Sequence, residues 1–524
     1  MVKIAKLSKQ KRRLVLAYTV IFVLLLLAAI MYTMSVYKHA EFGDAQMDEI
    51  IYYIANGLND GRSVNFIEAL RDNSLLLLIL FFLLSLPVID FYRDRISIAI
   101  NFATFGNNKT WHFNPSRVPI WIKIVYAVLV FGLGAWALLA SFRVGEYLHS
   151  LNQTGTVLEQ HYVDPQQVAL QFPAEKRNLI YIYMESMENT LGSRQNGGQM
   201  EPSRIPELEQ LALDPANISF SNQPEGLGGA VPVSGTTWTV AAMTAQSSGA
   251  PLRNDLFGLG QNNQGQLRYF LPGSYSIGQV LEDEGYNQTF IMGSEATFGG
   301  RDKLLSQHGN YTILDSTELK KEGRLPADYS VWWGFEDRKL FDFARQEATR
   351  LAAEDAPFNL QLLTADTHFP DGYLDPTCPT PYARQYDNVH ACSSARVAEF
   401  VRWIQEQPFA DNTTIVLTGD HLGMQTSYYD EIVGNASYQR TLYNAFINSA
   451  ITTTDTHGRL FSTYDMYPTT LAALGVEIPG DRLGLGVNLF SSTTTLVEKY
   501  GSYQALDAEL DKRSEYYDTK LLRK

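Results

Sequence analysis

Three long apolar stretches near the start of the chain restrict its fold more than any other feature. Leu14–Val36 contains no charged residue, Val118–Phe142 contains a single one, Lys123, and Leu75–Ile89 is almost entirely leucine, isoleucine and phenylalanine. A helix that crosses a bilayer needs roughly 20 apolar residues. The first and third stretches meet this length, and the second approaches it with its polar neighbours. A cleaved signal peptide is shorter than the first stretch and ends at small residues that are absent here. We therefore predict a transmembrane region of about three helices over residues 1–143.

The charges that flank these stretches predict their orientation. Acidic residues outnumber basic ones between the first two spans (about 37–72), and basic residues outnumber acidic ones between the second and third. All charges before the first span are basic, at Lys3, Lys6, Lys9, Lys11, Arg12 and Arg13. Because basic segments stay in the cytoplasm, residues after about 143 are expected outside it. The loop 37–72 is amphipathic around Ile50, and lies either on the membrane or under the outer domain.

The outer part holds both cysteines of the chain, Cys378 and Cys392. An oxidising compartment favours a disulfide between them, and two buried free thiols are the alternative. The formal net charge of −14 argues against a nucleic-acid partner, because phosphate backbones are bound by basic surfaces. The 45% apolar content is enough for a sizeable core in a chain of 524 residues.

Apolar strands alternate with helical segments in the outer part. This alternation predicts an α/β domain with a mostly parallel sheet and helices on both faces. We place this domain at 176–524 and a linker from the membrane at 144–175. The predicted strands are Asn178–Met184, Gln288–Met292, Phe358–Leu363 and Thr413–Thr418, and the predicted helices include Asp337–Ala353 and Ser394–Gln407.

Polar residues follow directly where these strands end. Glu185 follows one strand, and Asp420 and His421 follow another. Two carboxylates and an imidazole suit a divalent ion with one position left open. The hydroxyl-rich segment Ser234–Thr239 precedes a helix, and a threonine there would be acidified by such an ion. Each piece alone has an ordinary explanation, such as a helix cap or a solvated turn. Their joint occurrence at strand ends favours a metal-assisted phosphate site.

Five segments in order carry a resemblance to a known family: Asn178–Ser186, Gly235–Thr239, Gly293–Arg301, Thr367–Gly372 and Gly419–Met424. The domain resembles the alkaline phosphatase/sulfatase superfamily. Within it, the chain is similar to the branch of lipoteichoic acid synthases and glucan phosphoglycerol transferases. The segments around Thr367 and Asp420 and the cysteine spacing look closer to the glucan enzymes of the Gram-negative periplasm. The resemblance implies an alkaline-phosphatase-like fold for the outer domain.

The resemblance also implies roles for individual residues. Thr236 is the implied nucleophile, with Thr237 as the neighbouring alternative. The lipoteichoic enzymes have an aspartate and a tryptophan where this chain has Ser294 and Gly299, so Glu295 is a substitute for recognition of the glycerol. The implied metal ligands are Glu185, Thr236, Asp420 and His421; the implied catalytic groups are Thr236, His368 and Arg301; and the candidate substrate contacts are Arg301, His368, Glu295 and Trp238, the last of which is equally suited to packing.

The activity implied by the resemblance is transfer of phosphoglycerol from phosphatidylglycerol to a periplasmic glucan or related glycan, through a phosphothreonine-type intermediate. The implied cofactor is a divalent metal, with Mn²⁺ preferred and Zn²⁺ or Mg²⁺ as alternatives. The implied location is the bacterial inner membrane, with several spans and the catalytic domain facing the periplasm. Alternative activities are a polyglycerolphosphate polymerase, a phosphoethanolamine transferase and a phosphodiesterase. A catalytically inactive membrane-anchored binding or sensor protein is the alternative of another class.

Overall fold

The structure is a computed structural model that describes residues 8–43, 47, 50–51, 70–71, 73–89, 98–104, 107–113, 118–254, 268–435 and 437–523. The chain divides into two compact units. The first comprises Met1–Phe42 and Arg62–Glu146, and the second comprises Gly43–Gly61 and Tyr147–Lys524. Most of the loop 37–72 lies outside the described residues, so its predicted position on the membrane or under the outer domain stays a prediction.

The first unit is built on two long apolar helices, α1 (Lys9–Phe42) and α3 (Ile120–Ser141). Both are long and apolar enough to cross a membrane, whereas the intervening α2 (Ser74–Ser85) is shorter. The second predicted span, Leu75–Ile89, and the predicted orientation therefore stay predictions. A hairpin of β1 (Ile98–Thr104) and β2 (Asn107–Phe113) also belongs to this unit. The one charge of α3, Lys123, is buried and donates to the Tyr18 hydroxyl at 3.1 Å and the Val88 carbonyl at 3.2 Å.

A six-stranded sheet forms the centre of the second unit. Its strands are β3 (Asn178–Met184), β4 (Asn287–Met292), β5 (Thr312–Leu314), β6 (Phe358–Leu363), β7 (Thr413–Gly419) and β8 (Asn444–Ile447). Their order is β5-β4-β6-β3-β7-β8, with every pair parallel except the antiparallel pair β7–β8. The predicted mostly parallel sheet is confirmed.

Helices cover both faces of this sheet, which is why its central strands β3, β6 and β7 are buried along their whole length. In β3, Leu179, Tyr181 and Tyr183 belong to one hydrophobic core, and Ile180, Ile182 and Met184 belong to a second. The first core includes α5 (Val157–His161), α7 (Thr239–Ser248), α8 (Ile277–Asp283), α9 (Arg301–Gln307), α14 (Met466–Ala473), α15 (Leu496–Tyr500) and α16 (Tyr503–Leu510). The second includes α6 (Pro206–Leu213), α10 (Ser316–Lys321), α11 (Asp337–Ala352), α12 (Gln385–Gln405) and α13 (Thr426–Ile432). Further elements are α4 (Val144–Leu151), β9 (Arg482–Leu483), whose Leu483 belongs to the first core, β10 (Gly486–Val487) and a π-helical turn at Tyr517–Leu521.

The segment predicted as a linker contributes to the packing of the second unit. Leu158 is buried in the first core, and the backbones of Val163 and Gln171 form bridges to Gly484 and Glu477. The apolar residues of this segment are too sparse to show a period, so their burial was not visible in the sequence. The exact domain boundaries stay predictions. The predicted disulfide is confirmed, with an S–S distance of 2.01 Å between Cys378 and Cys392.

Candidate active site

The register of the sheet brings the predicted polar residues to one edge. Met184 pairs with Gly419 across β3 and β7, so the next residues, Glu185 and Asp420, leave neighbouring strands at the same level. On the other side of β3, Tyr183 pairs with the last residue of β6. Because these strands are parallel, the segments that follow all of them meet at this edge.

Glu185, Asp420 and His421 form a compact, fully buried cluster. Candidate ligand atoms from the three side chains all lie within 4.8 Å of one another. His421 Nε2 is 3.3 Å from Glu185 Oε1 and 3.5 Å from Asp420 Oδ2. Asp420 Oδ2 is buried and has no hydrogen-bond donor. A buried carboxylate oxygen is costly to leave unpaired, so a cation would complete this cluster.

The backbone around the cluster orients each of these ligands. Ser186 adopts a left-handed conformation with φ 54°, which is rare for a residue other than glycine. It donates from its amide to Asp420 Oδ1 at 2.9 Å and from its hydroxyl to Glu185 Oε1 at 2.7 Å. His421 Nδ1 lies 2.9 Å from the Leu422 carbonyl. A proton on Nδ1 leaves Nε2 as the ligand atom toward the carboxylates.

The cluster holds more negative charge than its burial tolerates. Burial, and after it the charge of Glu185, raises the pKa of Asp420 to about 7. Burial alone would lower the pKa of His421, but Asp420 and Glu185 outweigh it and raise this pKa to about 10. Burial also works to raise the pKa of Glu185, but His421 and His368 lower it to about 2. Without a cation, the cluster therefore retains a proton on His421, in the place where a metal ion would bind.

The structure brings Thr239, not Thr236, to this cluster. Thr239 is the first residue of α7 and is partly exposed, and its Oγ1 lies 3.3 Å from Glu185 Oε2 and 3.3 Å from His421 Nε2. The Thr236 hydroxyl is fully buried; it donates to the Val233 carbonyl at 2.8 Å and accepts from the Val233 amide at 3.0 Å. Both of these contacts are local, so Thr236 is occupied as a turn residue. Thr237 is partly exposed.

His368 and Arg301 lie at the same edge, after β6 and β4. Burial lowers the pKa of His368, with Glu185 opposing this shift and His421 and Arg301 adding to it. His368 Nδ1 lies 2.7 Å from the Phe369 carbonyl, which leaves Nε2 for another partner. Arg301 is buried and donates from Nε to the Phe298 carbonyl at 3.0 Å and from Nη2 to the Glu295 carbonyl at 2.9 Å.

The two remaining predicted substrate contacts are Glu295 and Trp238. Glu295 has an exposed side chain, and its carbonyl holds Arg301. Trp238 is fully buried in the first core, where it precedes α7, so packing is the role that its position supports. Thr364 and Thr367 contact the Glu185 backbone and were not identified from sequence. The helix start predicted at Val240 is the sequence signal that could have identified Thr239.

A family model for sulfatases matches residues 177–476, which is more than half of the chain. The protein therefore belongs to the sulfatase family, as the sequence motifs predicted.

Among characterised relatives, the chain is 32% identical over 347 residues to phosphoglycerol transferase I of Xanthomonas euvesicatoria pv. vesicatoria, covering 64% of this chain and 45% of that protein. It is 30% identical over 310 residues to phosphoglycerol transferase I of Citrobacter koseri, covering 57% of this chain and 38% of that protein. The chain thus matches less than half the length of these relatives.

Two solved structures show a more distant likeness. The lipoteichoic acid synthase LtaP from Listeria monocytogenes has 17% identity and a TM-score of 0.48, over 62% of this chain and 79% of its own. The integral membrane lipooligosaccharide phosphoethanolamine transferase A from Neisseria meningitidis has 13% identity and a TM-score of 0.48, over 88% of this chain and 84% of its own.

Proposed function

We propose that this protein is a membrane-bound, metal-dependent transferase that moves phosphoglycerol from phosphatidylglycerol to a hydroxyl group of a periplasmic glucan or related glycan. The observation that carries this proposal is the position of Thr239, whose Oγ1 is 3.3 Å from both Glu185 Oε2 and His421 Nε2 at the start of α7. A hydroxyl group between metal ligands and a helix N-terminus is placed to attack a phosphate. The relatives named phosphoglycerol transferase I support the choice of head group.

The residues of the cluster fit a divalent cation. Glu185, Asp420 and His421 supply oxygen and nitrogen ligands, Asp420 Oδ2 accepts no hydrogen bond, and Thr239 Oγ1 would be the fourth ligand. This donor set suits Zn²⁺ or Mn²⁺, and we favour Mn²⁺. When bound, the ion would acidify the threonine hydroxyl and neutralise charge on the phosphoryl oxygens.

The proposed reaction has two balanced steps. Thr239 Oγ1 forms a bond to phosphorus, the bond from phosphorus to the diacylglycerol oxygen breaks, and the threonine proton ends on diacylglycerol. A glycan hydroxyl oxygen then forms a bond to phosphorus, the bond from phosphorus to Thr239 Oγ1 breaks, and the glycan proton ends on Thr239. Each step exchanges one phosphodiester oxygen for another, so no redox partner or external energy source is needed.

Arg301 and His368 have complementary parts in these steps. The Arg301 guanidinium, fixed by two backbone carbonyls, would neutralise the phosphodiester. Because burial lowers its pKa, the His368 ring is neutral near pH 7. Its Nε2 would accept the proton of the attacking hydroxyl and return it to the departing oxygen. The apolar helices α1 and α3 would anchor this machinery in the bacterial inner membrane, where the lipid donor lies.

The proposal is tested by the intact mass of the full-length protein after incubation with Mn²⁺ and phosphatidylglycerol. We expect a phosphoglycerol-sized adduct on the wild type and on Thr236→Ser, and none on Thr239→Ala. Thr236→Ser is the matched control because serine keeps both hydrogen bonds to Val233. Addition of a glucan acceptor should remove the adduct.

Three other outcomes would each overturn one part of this proposal: the nucleophile, the head group or the catalytic activity itself. An adduct on Thr239→Ala but none on a Thr236 variant would return the nucleophile to the residue that the sequence resemblance implied. An adduct from phosphatidylethanolamine alone would change the head group. No adduct from either lipid, with no diacylglycerol released, would favour a binding protein.

A further inference from the structure

Two consecutive tryptophans occupy a tight turn that precedes α11. The Val331 amide donates to the Gly334 carbonyl at 3.0 Å, and the Gly334 amide donates to the Val331 carbonyl at 2.9 Å, so Trp332 and Trp333 lie at the tip. Trp332 has φ 55°, in the left-handed region that large side chains rarely adopt. Such conformations persist only where the surroundings hold them, and they concentrate at functional sites.

This turn is fixed to the two loops that carry Arg301 and His368. The Phe335 amide donates to the Gly293 carbonyl at 3.2 Å, at the end of β4. A Cβ atom on Gly334 would lie 2.1 Å from the same carbonyl oxygen, so the close approach requires glycine there. On the other side, Trp332 Nε1 donates at 2.9 Å to the carbonyl of Ala365, in the loop that follows β6. Trp332 is thus the anchor of the turn.

Trp333 faces the candidate active site. Its ring centroid lies 4.6 Å from that of His368 and 5.5 Å from that of Phe298. The guanidinium carbon of Arg301 lies 5.3 Å from the Phe298 ring. Arg301, Phe298, Trp333 and His368 therefore form a continuous wall, and the side chain of Trp333 is partly exposed within it. Trp333 therefore contacts the ring of His368, the candidate proton acceptor, and Phe298 links it to Arg301, so its exposed part can contact a ligand held by these residues.

We infer that Trp333 is a specificity-determining residue whose indole ring receives the uncharged polyol part of the phosphate head group. This inference rests on the proposed function and deepens it. The ring offers a flat apolar surface against which the C–H groups of a glycerol pack. An ammonium head group would also be attracted to an aromatic ring, but the cation of Arg301 on the same wall opposes it. The wall therefore favours a neutral head group over a cationic one.

The test measures binding to the full-length protein in detergent with Mn²⁺, by calorimetric titration of three probes: glycerol 3-phosphate, phosphoethanolamine and inorganic phosphate. We expect the wild type to bind glycerol 3-phosphate most tightly. Trp333→Ala should weaken glycerol 3-phosphate by about tenfold and leave inorganic phosphate within about twofold, because only the polyol contacts the ring. Trp333→Phe should restore most of the difference.

Trp403→Phe is the matched control. Trp403 lies on α12 and packs against the second core, with its ring between those of Phe400 and Phe409. It should bind all three probes like the wild type. Equal weakening of all probes by Trp333→Ala would show a merely structural role, and no weakening would show that the ring does not contact the ligand; either result overturns the inference. So does a wild type that binds phosphoethanolamine as tightly as glycerol 3-phosphate. Failure of the proposed function is separate: the wild type would then show these affinities but form no adduct with phosphatidylglycerol.

Discussion

At the scale of single residues, the buried cluster of Glu185, Asp420 and His421 makes metal binding depend on pH. The raised pKa of His421, about 10, means that a metal ion must displace its proton at neutral pH. Affinity for Mn²⁺ should therefore rise as pH increases from 6.5 to 8.5, by up to about tenfold per pH unit for one released proton. Calorimetric titration of the full-length protein at three pH values measures this.

Two histidine variants sharpen this metal-binding prediction. His421→Gln removes one titrating ligand and the charge that lowers the pKa of Asp420, so its Mn²⁺ affinity should be weaker, with a pH dependence that comes from Asp420 alone. His308→Gln is the control, because His308 is a buried histidine that binds Phe270 and Gln279, not the cluster. It should keep the wild-type slope. An affinity that does not change with pH in the wild type would mean that His421 holds no proton before the metal binds.

A second histidine, His390, should limit stability in acid. It is fully buried between Tyr386 and Tyr428, and neither ring nitrogen has a hydrogen-bond partner. Burial lowers its pKa to about 3. An unfolded chain takes up this proton below pH about 6.5 while the folded chain does not, so stability falls as pH decreases, by at most about 1.4 kcal/mol per unit.

The substitution His390→Phe should remove this loss. The unfolding temperature of the variant relative to the wild type should rise as pH is lowered from 7.5 to 5, whatever the offset at pH 7.5. The exposed His457 provides the control, and His457→Phe should leave the pH dependence unchanged. If His390→Phe and the wild type show parallel pH profiles, another group causes the acid sensitivity.

The sequence predicted the buried cluster better than the threonine that lies beside it, for a physical reason. Glu185, Asp420 and His421 follow apolar strands directly, so the strand ends alone brought them together. The hydroxyl groups of Thr236 and Thr239 lie in one short segment, and only the point at which the helix begins distinguishes them. That point depends on the packing of Trp238 in the core, which a pattern of residue types does not show.

At the scale of elements, one buried side chain fixes α7 against the sheet. Gln246 accepts from the Tyr181 hydroxyl at 2.7 Å and donates to the Gly419 carbonyl at 3.0 Å. It thereby sets the helix that begins with Thr239 relative to the strands that precede Glu185 and Asp420. Gln246→Leu should slow formation of the Thr239 adduct by at least about tenfold, because small displacements of a nucleophile are costly.

Gln288 on β4 is the matched control for this helix prediction. It is also a buried glutamine with both ends of its amide bonded, to Gly278 and Asn359. Gln246→Leu and Gln288→Leu should each lower the free energy of unfolding by about 1–3 kcal/mol, the cost of unpaired buried groups. Only Gln246→Leu should slow adduct formation in single-turnover mass spectrometry. Equal slowing by both variants would attribute the effect to lost stability.

Sequence patterns identified the strands that helices bury on both faces, and missed elements that are partly exposed or that bury polar residues. Strands β3, β4, β6 and β7 are buried along nearly their whole length because helices cover both of their faces, and each carries enough apolar residues to be recognised. By contrast, β5 has three residues, only one of them buried, and resembles a loop. Helix α12 begins nine residues before the predicted Ser394, because its first turns bury Asp387, Asn388 and His390 through tertiary contacts. Polar residues in buried positions hide the helical period from the sequence.

At the scale of the whole molecule, charge and redox chemistry together test the orientation of the chain. Basic residues before α1 predict a cytoplasmic N-terminus, and the disulfide of the second unit requires an oxidising compartment. The chain has only these two cysteines, so their oxidation state in cells reports on which side of the membrane the second unit lies. Alkylation of denatured cell extracts with a maleimide-coupled polymer measures that state without purification.

Reversing the charges that precede the first apolar stretch, Leu14–Val36, should therefore leave the cysteines reduced. Wild-type protein should react with the maleimide only after reduction, whereas a variant with glutamate at four basic positions should react directly in a substantial fraction of chains, because the first span then inverts. The four positions are Lys9, Lys11, Arg12 and Arg13. Glutamate at four exposed basic positions of the second unit controls for the change in net charge and should leave the disulfide intact: Lys321, Arg402, Arg513 and Lys520. An intact disulfide in the first variant would show that other segments set the orientation, and reduced cysteines in the wild type would contradict the periplasmic location itself.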